Sequence, residues 1–122
     1  MEIMNYSPQM EMVFLSFGRL DHDIALIKAP EGLATGSPGL SHIAMVVEGG
    51  PHELKEVYRR VKSAGAEIEM TADHGVSKSF YFFDPDGNRL EVFCQALHGA
   101  EAMTFIREVG AMLEPYEELE AP

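Results

Sequence analysis

The run from residue 80 to 93, FYFFDPDGNRLEVF, constrains this chain more than any other stretch. Proline presets one backbone angle, and Gly and Asn tolerate positive φ, so residues 84–88 are turn chemistry. Aromatic and apolar residues flank the turn on both sides, which fits two antiparallel strands. Alternation along a strand puts Tyr81 and Phe83 on one face and Phe80 and Phe82 on the other. Across the turn, Leu90 and Val92 are apolar, while Glu91 points to the opposite side. A carboxylate inside an apolar strand must be exposed, paired or bound to something.

The remaining pattern surrounds that hairpin. Residues 1–6 read as a short strand, residues 10–17 as a second and residues 22–28 as a third, the last two forming a hairpin. Residues 29–39 hold prolines, glycines and small polar residues and read as a connection. Residues 40–47 read as a strand, with Ile43, Met45 and Val47 on one face and Leu40, His42, Ala44 and Val46 on the other. A helix is expected over 51–64. Pro51 suits its first turn, acids lie near its start and bases near its end, and Leu54, Val57, Tyr58 and Val61 form an apolar stripe. Residues 67–70 read as a short strand, and a second amphipathic helix is expected over 100–113. That helix should bury Phe105, Ile106, Val109, Met112 and Leu113, with Gly110 weakening it by roughly 1 kcal/mol. The fold class is α+β, mostly antiparallel, with helices on one face of the sheet.

Composition narrows the function. The 122 residues carry 20 acidic against 9 basic side chains, a formal charge of −11, so a polyanionic partner such as nucleic acid is not expected. No apolar run approaches membrane-spanning length, and no membrane partner is expected. Cys94 stands alone and reads as an inert buried thiol, which suits a reducing cytoplasm. Residues 114–122 read as a solvated acidic tail, frayed from the body.

If Ile43, Met45, Val47, Phe80, Phe82, Leu90 and Val92 face the helix, parity gathers His42, Tyr81 and Glu91 on the other face. An imidazole, a carboxylate and a phenol together can hold a divalent metal and a substrate oxygen. The plainer alternative makes His42 a satisfied strand histidine and pairs Glu91 with Arg89 or Lys78.

The motif His-x5-Phe-Tyr-x2-Asp-Pro-x-Gly-x3-Glu from His74 to Glu91, preceded by Gly39-Leu-Ser-His42, resembles the vicinal oxygen chelate superfamily. Within that superfamily it is most similar to extradiol ring-cleaving dioxygenases. Ala72, two residues before His74, departs from the small set usual there. The resemblance implies a single domain over residues 1–113. It comprises a partial first module (1–28), a connection (29–39), a βαβββ module (40–95) and a C-terminal helix (100–113), with the acidic tail (114–122) outside it.

Residue by residue, the resemblance makes His42 and Glu91 iron ligands. It makes Tyr81 a hydrogen-bond donor to the substrate oxygen and His74 a donor beside the substrate. His22, in Asp21-His-Asp-Ile-Ala25, matches a histidine that moves protons. Each keeps a structural alternative: a strand cap for His22, a polar loop residue for His74, a cross-strand aromatic for Tyr81. Ala25 stands where glyoxalase-type relatives carry a fourth ligand, Glu, which favours the dioxygenase branch. His52 and His98 are expected to face solvent.

The implied function is iron-dependent ring opening of a small aromatic, catechol-type substrate. Fe(II) is the implied cofactor, with Mn(II), another divalent metal or no bound metal as alternatives. The strand that carries the family's first metal-binding histidine, and the helix after it, are expected to be missing. The chain alone is therefore expected to be inactive or nearly so. A non-catalytic small-molecule-binding module, a glyoxalase-like protein and a fragment of a longer enzyme are the competing readings. The apolar hairpin of residues 10–28, left uncovered, leads to an expected homodimer.

Overall fold

A computed structural model describes residues 2–7, 11–18, 21–28, 31 and 39–122. Most of the expected connection over 29–39 lies outside the described residues. The chain divides into two compact units, one of Met1–Leu40 with Leu97–Ala111, the other of Ser41–Ala96 with Met112–Pro122.

In the first unit, β1 (Glu2–Ser7), β2 (Met12–Ser16) and β3 (Ile24–Ile27) form an antiparallel sheet in the order β1-β2-β3. On β2, Met12, Phe14 and Ser16 are buried, alternating with half-buried Val13 and Leu15. Every residue of β3 is exposed. Helix α2 (Gly99–Glu108) buries Ala102 and Ile106 and lies against β1. It is shorter than the expected 100–113. Gly110 adopts φ +81° and donates its N–H to the Ile106 carbonyl, so it ends the helix instead of weakening its middle. Val109 and Leu113, expected on the buried side, are exposed.

The second unit is a βαβββ module. It comprises β4 (Ile43–Val46), α1 (Pro51–Ser63), β5 (Glu67–Asp73), β6 (Ser77–Phe83) and β7 (Arg89–Gln95), with sheet order β4-β7-β6-β5. β4 runs parallel to β7 and the other pairs are antiparallel. The fold class is thus α+β and mostly antiparallel. Helix α1 starts at Pro51, with the Glu53 carboxylate accepting the Gly50 N–H at 2.8 Å. Its stripe supplies Leu54 and Tyr58, which pack with Phe80, Val92 and Cys94, and Val57, Val61, Ile68 and Phe82 surround them. The Tyr58 and Phe80 rings meet edge to face at 5.2 Å.

Two expectations are corrected here. Ile43 and Met45 were to face the helix, yet both are largely exposed, and of that strand only Val47 packs on the core. β4 is the edge of its sheet, and α1 packs on β6 and β7 instead. The acidic tail is not frayed either. Glu114 pairs backbone to backbone with Asp73, a 3-10 turn forms over Glu117–Leu119, and Tyr116 and Leu119 are buried in the core. The two apolar residues three apart sit on one side of that turn, leaving the carboxylates in water.

Candidate active site

The turn between β6 and β7 sets the register of the site. The Asp84 carboxylate accepts the N–H groups of Asp86 and Asn88 and the Asn88 side-chain amide, and Gly87 takes φ +84°. The Asn88 hydrogen bonds hold the Asp84 carboxyl below its ordinary range. From that turn the ladder runs Phe83 to Arg89, Phe82 to Leu90 and Tyr81 to Glu91. Tyr81 and Glu91 therefore sit side by side on the face away from α1, while Phe80 and Val92 face the helix core. β4 aligns Ala44 with Glu91, and His42, just before β4, reaches the same carboxylate.

His42 Nε2 lies 3.0 Å from Glu91 Oε2. Its Nδ1 is 3.0 Å from Ser41 Oγ and 3.4 Å from Arg89 Nη1. His74 follows β5, which runs to Asp73 and not only to residue 70. It opens a tight turn closed by its own N–H to the Ser77 carbonyl. Its Nδ1 donates to the Met112 carbonyl at 2.8 Å, and its Nε2 is 2.9 Å from the Tyr81 hydroxyl and 3.5 Å from Glu91 Oε1. The Arg89 guanidinium lies over the Tyr81 ring at 4.3 Å. His42, His74, Tyr81 and Glu91 are thus one contact cluster in the second unit.

Charge in the cluster follows from these contacts. Burial pushes the Glu91 carboxyl up, but hydrogen bonds from His42 and His74 outweigh it and hold the group well below the carboxylate range. Burial pulls the His74 imidazole down, yet the Glu91 and Met112 contacts win and raise it. Tyr81 is pushed well above its ordinary value, by burial first and by the Glu91 charge second, so its hydroxyl keeps its proton. Ser79, on the same face, is fully buried, and its hydroxyl makes no hydrogen bond among the described residues.

The plain pairings for Glu91 do not occur. Arg89 binds Glu69 through Nε at 2.6 Å, and Lys78 pairs with Asp73. His22 belongs to the first unit, where its Nδ1 lies 2.5 Å from Asp21 Oδ2. His52 and His98 are exposed, and Cys94 is buried, with burial raising its thiol. Among the described residues, no group of three His, Cys, Asp or Glu side chains is arranged to hold a metal ion. The sequence reading missed the Met112 carbonyl, for which no local signal exists. It also missed Ser79, which shares the parity of Tyr81 and was legible.

Comparison with known proteins places the chain in a family. The profile of the glyoxalase/bleomycin resistance protein/dioxygenase superfamily matches residues 4–92. The chain belongs to this superfamily. Among its relatives there, biphenyl-2,3-diol 1,2-dioxygenase 2 of Rhodococcus globerulus is 34% identical over 84 residues, covering 66% of this chain and 44% of that enzyme. Metapyrocatechase of Pseudomonas sp. (strain CF600) is 34% identical over 91 residues, covering 66% of this chain and 25% of that enzyme. The solved structure of the 2,3-dioxygenase LapB from Pseudomonas sp. KL28 superposes with a TM-score of 0.61 at 26% identity, over 71% of this chain and 29% of that one. This superfamily member is therefore homologous to extradiol dioxygenases, and it spans less than half the length of the curated relatives it matches. Among the described residues, no helix is long and apolar enough to cross a membrane.

Proposed function

We propose that this chain is an extradiol dioxygenase-like domain acting on a small catechol-type substrate, with His42 and Glu91 as two ligands of a divalent metal, Fe(II) foremost. The observation that carries the reading is the 3.0 Å approach of His42 Nε2 to Glu91 Oε2, beside Tyr81 and His74. Two donors bound side by side to one metal at about 2.1 Å stand about 3.0 to 3.4 Å apart, so the pair fits. Ser41 Oγ is placed to accept the Nδ1 proton that a metal-bound His42 would carry. The described residues supply two ligands, and a third would come from outside them.

Bound metal would supply a positive centre that draws both catechol oxygens and dioxygen together. This chain's own residues would do the rest. Tyr81, protonated by its surroundings, would donate to a substrate oxygen. His74, fixed at Nδ1 by Met112, would share its Nε2 edge between that oxygen and Tyr81. His22, in the first unit, keeps the proton-moving part that the resemblance gives it. Arg89 would hold the Tyr81 ring in place from its face.

Anaerobic Fe(II) titration followed by dialysis tests the reading. Substoichiometric, weakly held iron is expected, abolished in His42→Ala and Glu91→Ala, with little or no ring opening of simple catechols by the isolated chain. Stoichiometric iron in a proven monomer would overturn the two-ligand site, and iron binding unchanged in Glu91→Ala would overturn the whole assignment.

The lack of a third ligand among the described residues favours one second reading, a binding module that holds an aromatic ligand against Tyr81 and Arg89 without reaction. Catechol binding that persists in excess chelator would select it. In either reading we propose a cytoplasmic protein without nucleic-acid or membrane partners. We also propose a homodimer, supported by the exposed Ile24, Leu26 and Ile27 of β3 and Ile43 and Val46 of β4, and tested by light scattering.

A further inference from the structure

Two acids flank His22, and they do different work. Asp23 serves the backbone. Its carboxylate accepts the Phe17 N–H at 2.7 Å, and its own N–H binds the Leu15 carbonyl at 2.8 Å, so the turn entering β3 is tied on both sides. Asp21 serves the ring. It is 5% exposed, and its Oδ2 lies 2.5 Å from His22 Nδ1. The ring packs on buried Phe14 at 4.9 Å between centroids. The imidazole is thus held at one nitrogen by charge and at one face by an aromatic. Among the described residues Nε2 makes no hydrogen bond, and the side chain stays about one third exposed, at 35%.

We infer that Asp21 is the positioning residue for His22, fixing the neutral ring with its proton on Nδ1 and its lone pair on Nε2. A carboxylate can only accept, so the nitrogen facing it must carry hydrogen, and the outward nitrogen is left as the base. When Nε2 takes a proton from a substrate hydroxyl, the imidazolium is stabilised by Asp21, which stays ionised. When Nε2 returns that proton, the ring reverts to the same tautomer. This is the role a buried acid plays behind a histidine base generally, whatever the reaction. The inference rests on the proposed proton-moving role of His22, but its test does not.

The test is a long-range proton–nitrogen correlation spectrum of the histidine rings in the full 15N-labelled chain, at a pH where His22 is neutral, with His22→Gln giving the assignment. The wild-type ring is expected to show a protonated Nδ1 and an unprotonated Nε2. Asp21→Asn, which keeps the size and removes the charge, should lower the ratio of the Nδ1–H to the Nε2–H tautomer by about tenfold, the worth of one charge-assisted hydrogen bond. Asp21→Glu should restore most of it. A wild-type ring already protonated on Nε2 overturns the inference without any variant, and so does a ratio unchanged in folded Asp21→Asn. The tautomer is read without turnover, so the little or no ring opening expected of the isolated chain leaves this test intact.

Discussion

The two sheets use similar apolar strands and bury them very differently. In the four-stranded sheet, β6 and β7 carry Phe80 and Cys94 with no exposed surface, sealed by Leu54 and Tyr58 of α1. In the three-stranded sheet, β2 buries Met12 and Phe14, but its neighbour β3, just as apolar in sequence, buries nothing. Alternation shows which residues share a face; only a packed helix or strand makes that face a core. The cluster of His42, His74, Tyr81 and Glu91 stands on the back of the sealed sheet. Its geometry inherits the rigidity of the core beneath it.

The sharpest way to break this comparison is in the sealed sheet. Phe80→Ala removes a ring that touches Tyr58 and the rest of the core, and should cost about 3–5 kcal/mol of unfolding free energy. A urea melt followed by circular dichroism measures it. A loss below about 1 kcal/mol would mean that the core collapses around the gap or that α1 is not seated on the sheet.

The C-terminal segment tests how far the seal extends. Leu119→Ala should cost about 2–3 kcal/mol, since Leu119 is 2% exposed beside Leu54 and Tyr116. Limited proteolysis should then open the segment after Met112, loosening the carbonyl that holds His74. If neither stability nor cleavage changes, the tail contributes nothing to the core.

A smaller effect on the same segment follows from pH. Tyr116 is pushed up to about 12, by burial first and then by Glu118. Because the folded value lies above the unfolded one, near 10, the neutral phenol favours folding. That contribution is complete below pH of about 10 and is lost as pH rises through the folded value. Alkaline melts of wild type should lose stability across this window faster than those of Tyr116→Phe. Parallel curves would mean that Tyr116 titrates freely.

Much of this was legible in the sequence, for physical reasons. The hairpin was readable over residues 80–93, which the structure extends to 77–95, because its turn chemistry is local and fixes register without help from elsewhere. Helix α1 was readable because Pro51, Glu53 and the stripe from Leu54 to Val61 agree with one another. Parity brought Tyr81 and Glu91 to one face, whereas for His42 it leaned on Ile43 and Met45 facing the helix, and both are exposed. Non-local contacts were not readable. The tail looked frayed because nine residues of mostly acid and proline carry no periodicity, yet Tyr116 and Leu119 find the core. Helix α2 looked too long because Gly110 reads equally as a weak interior residue or as a stop, and only its positive φ decides. Ile43 and Met45 looked buried because strand alternation does not say which strand is an edge.

The smallest effect on folding is expected at β3, where the comparison is sharpened rather than broken. Leu26 is 54% exposed and pairs across the ladder with half-buried Val13. Exposed substitutions of this kind stay within about 0.5 kcal/mol, because little buried area is lost. Leu26→Lys should therefore leave the urea midpoint almost unchanged at concentrations where the chain is monomeric. The lysine places a charge on an apolar strand, which is how sheet edges are kept from pairing. If a second copy covers β3, the same substitution should shift the concentration dependence of light scattering towards monomer while the midpoint of the monomer holds. A loss above about 2 kcal/mol in the monomer would mean that Leu26 is buried by this chain itself. The two sheets would then differ in their covering elements and not in whether they are covered.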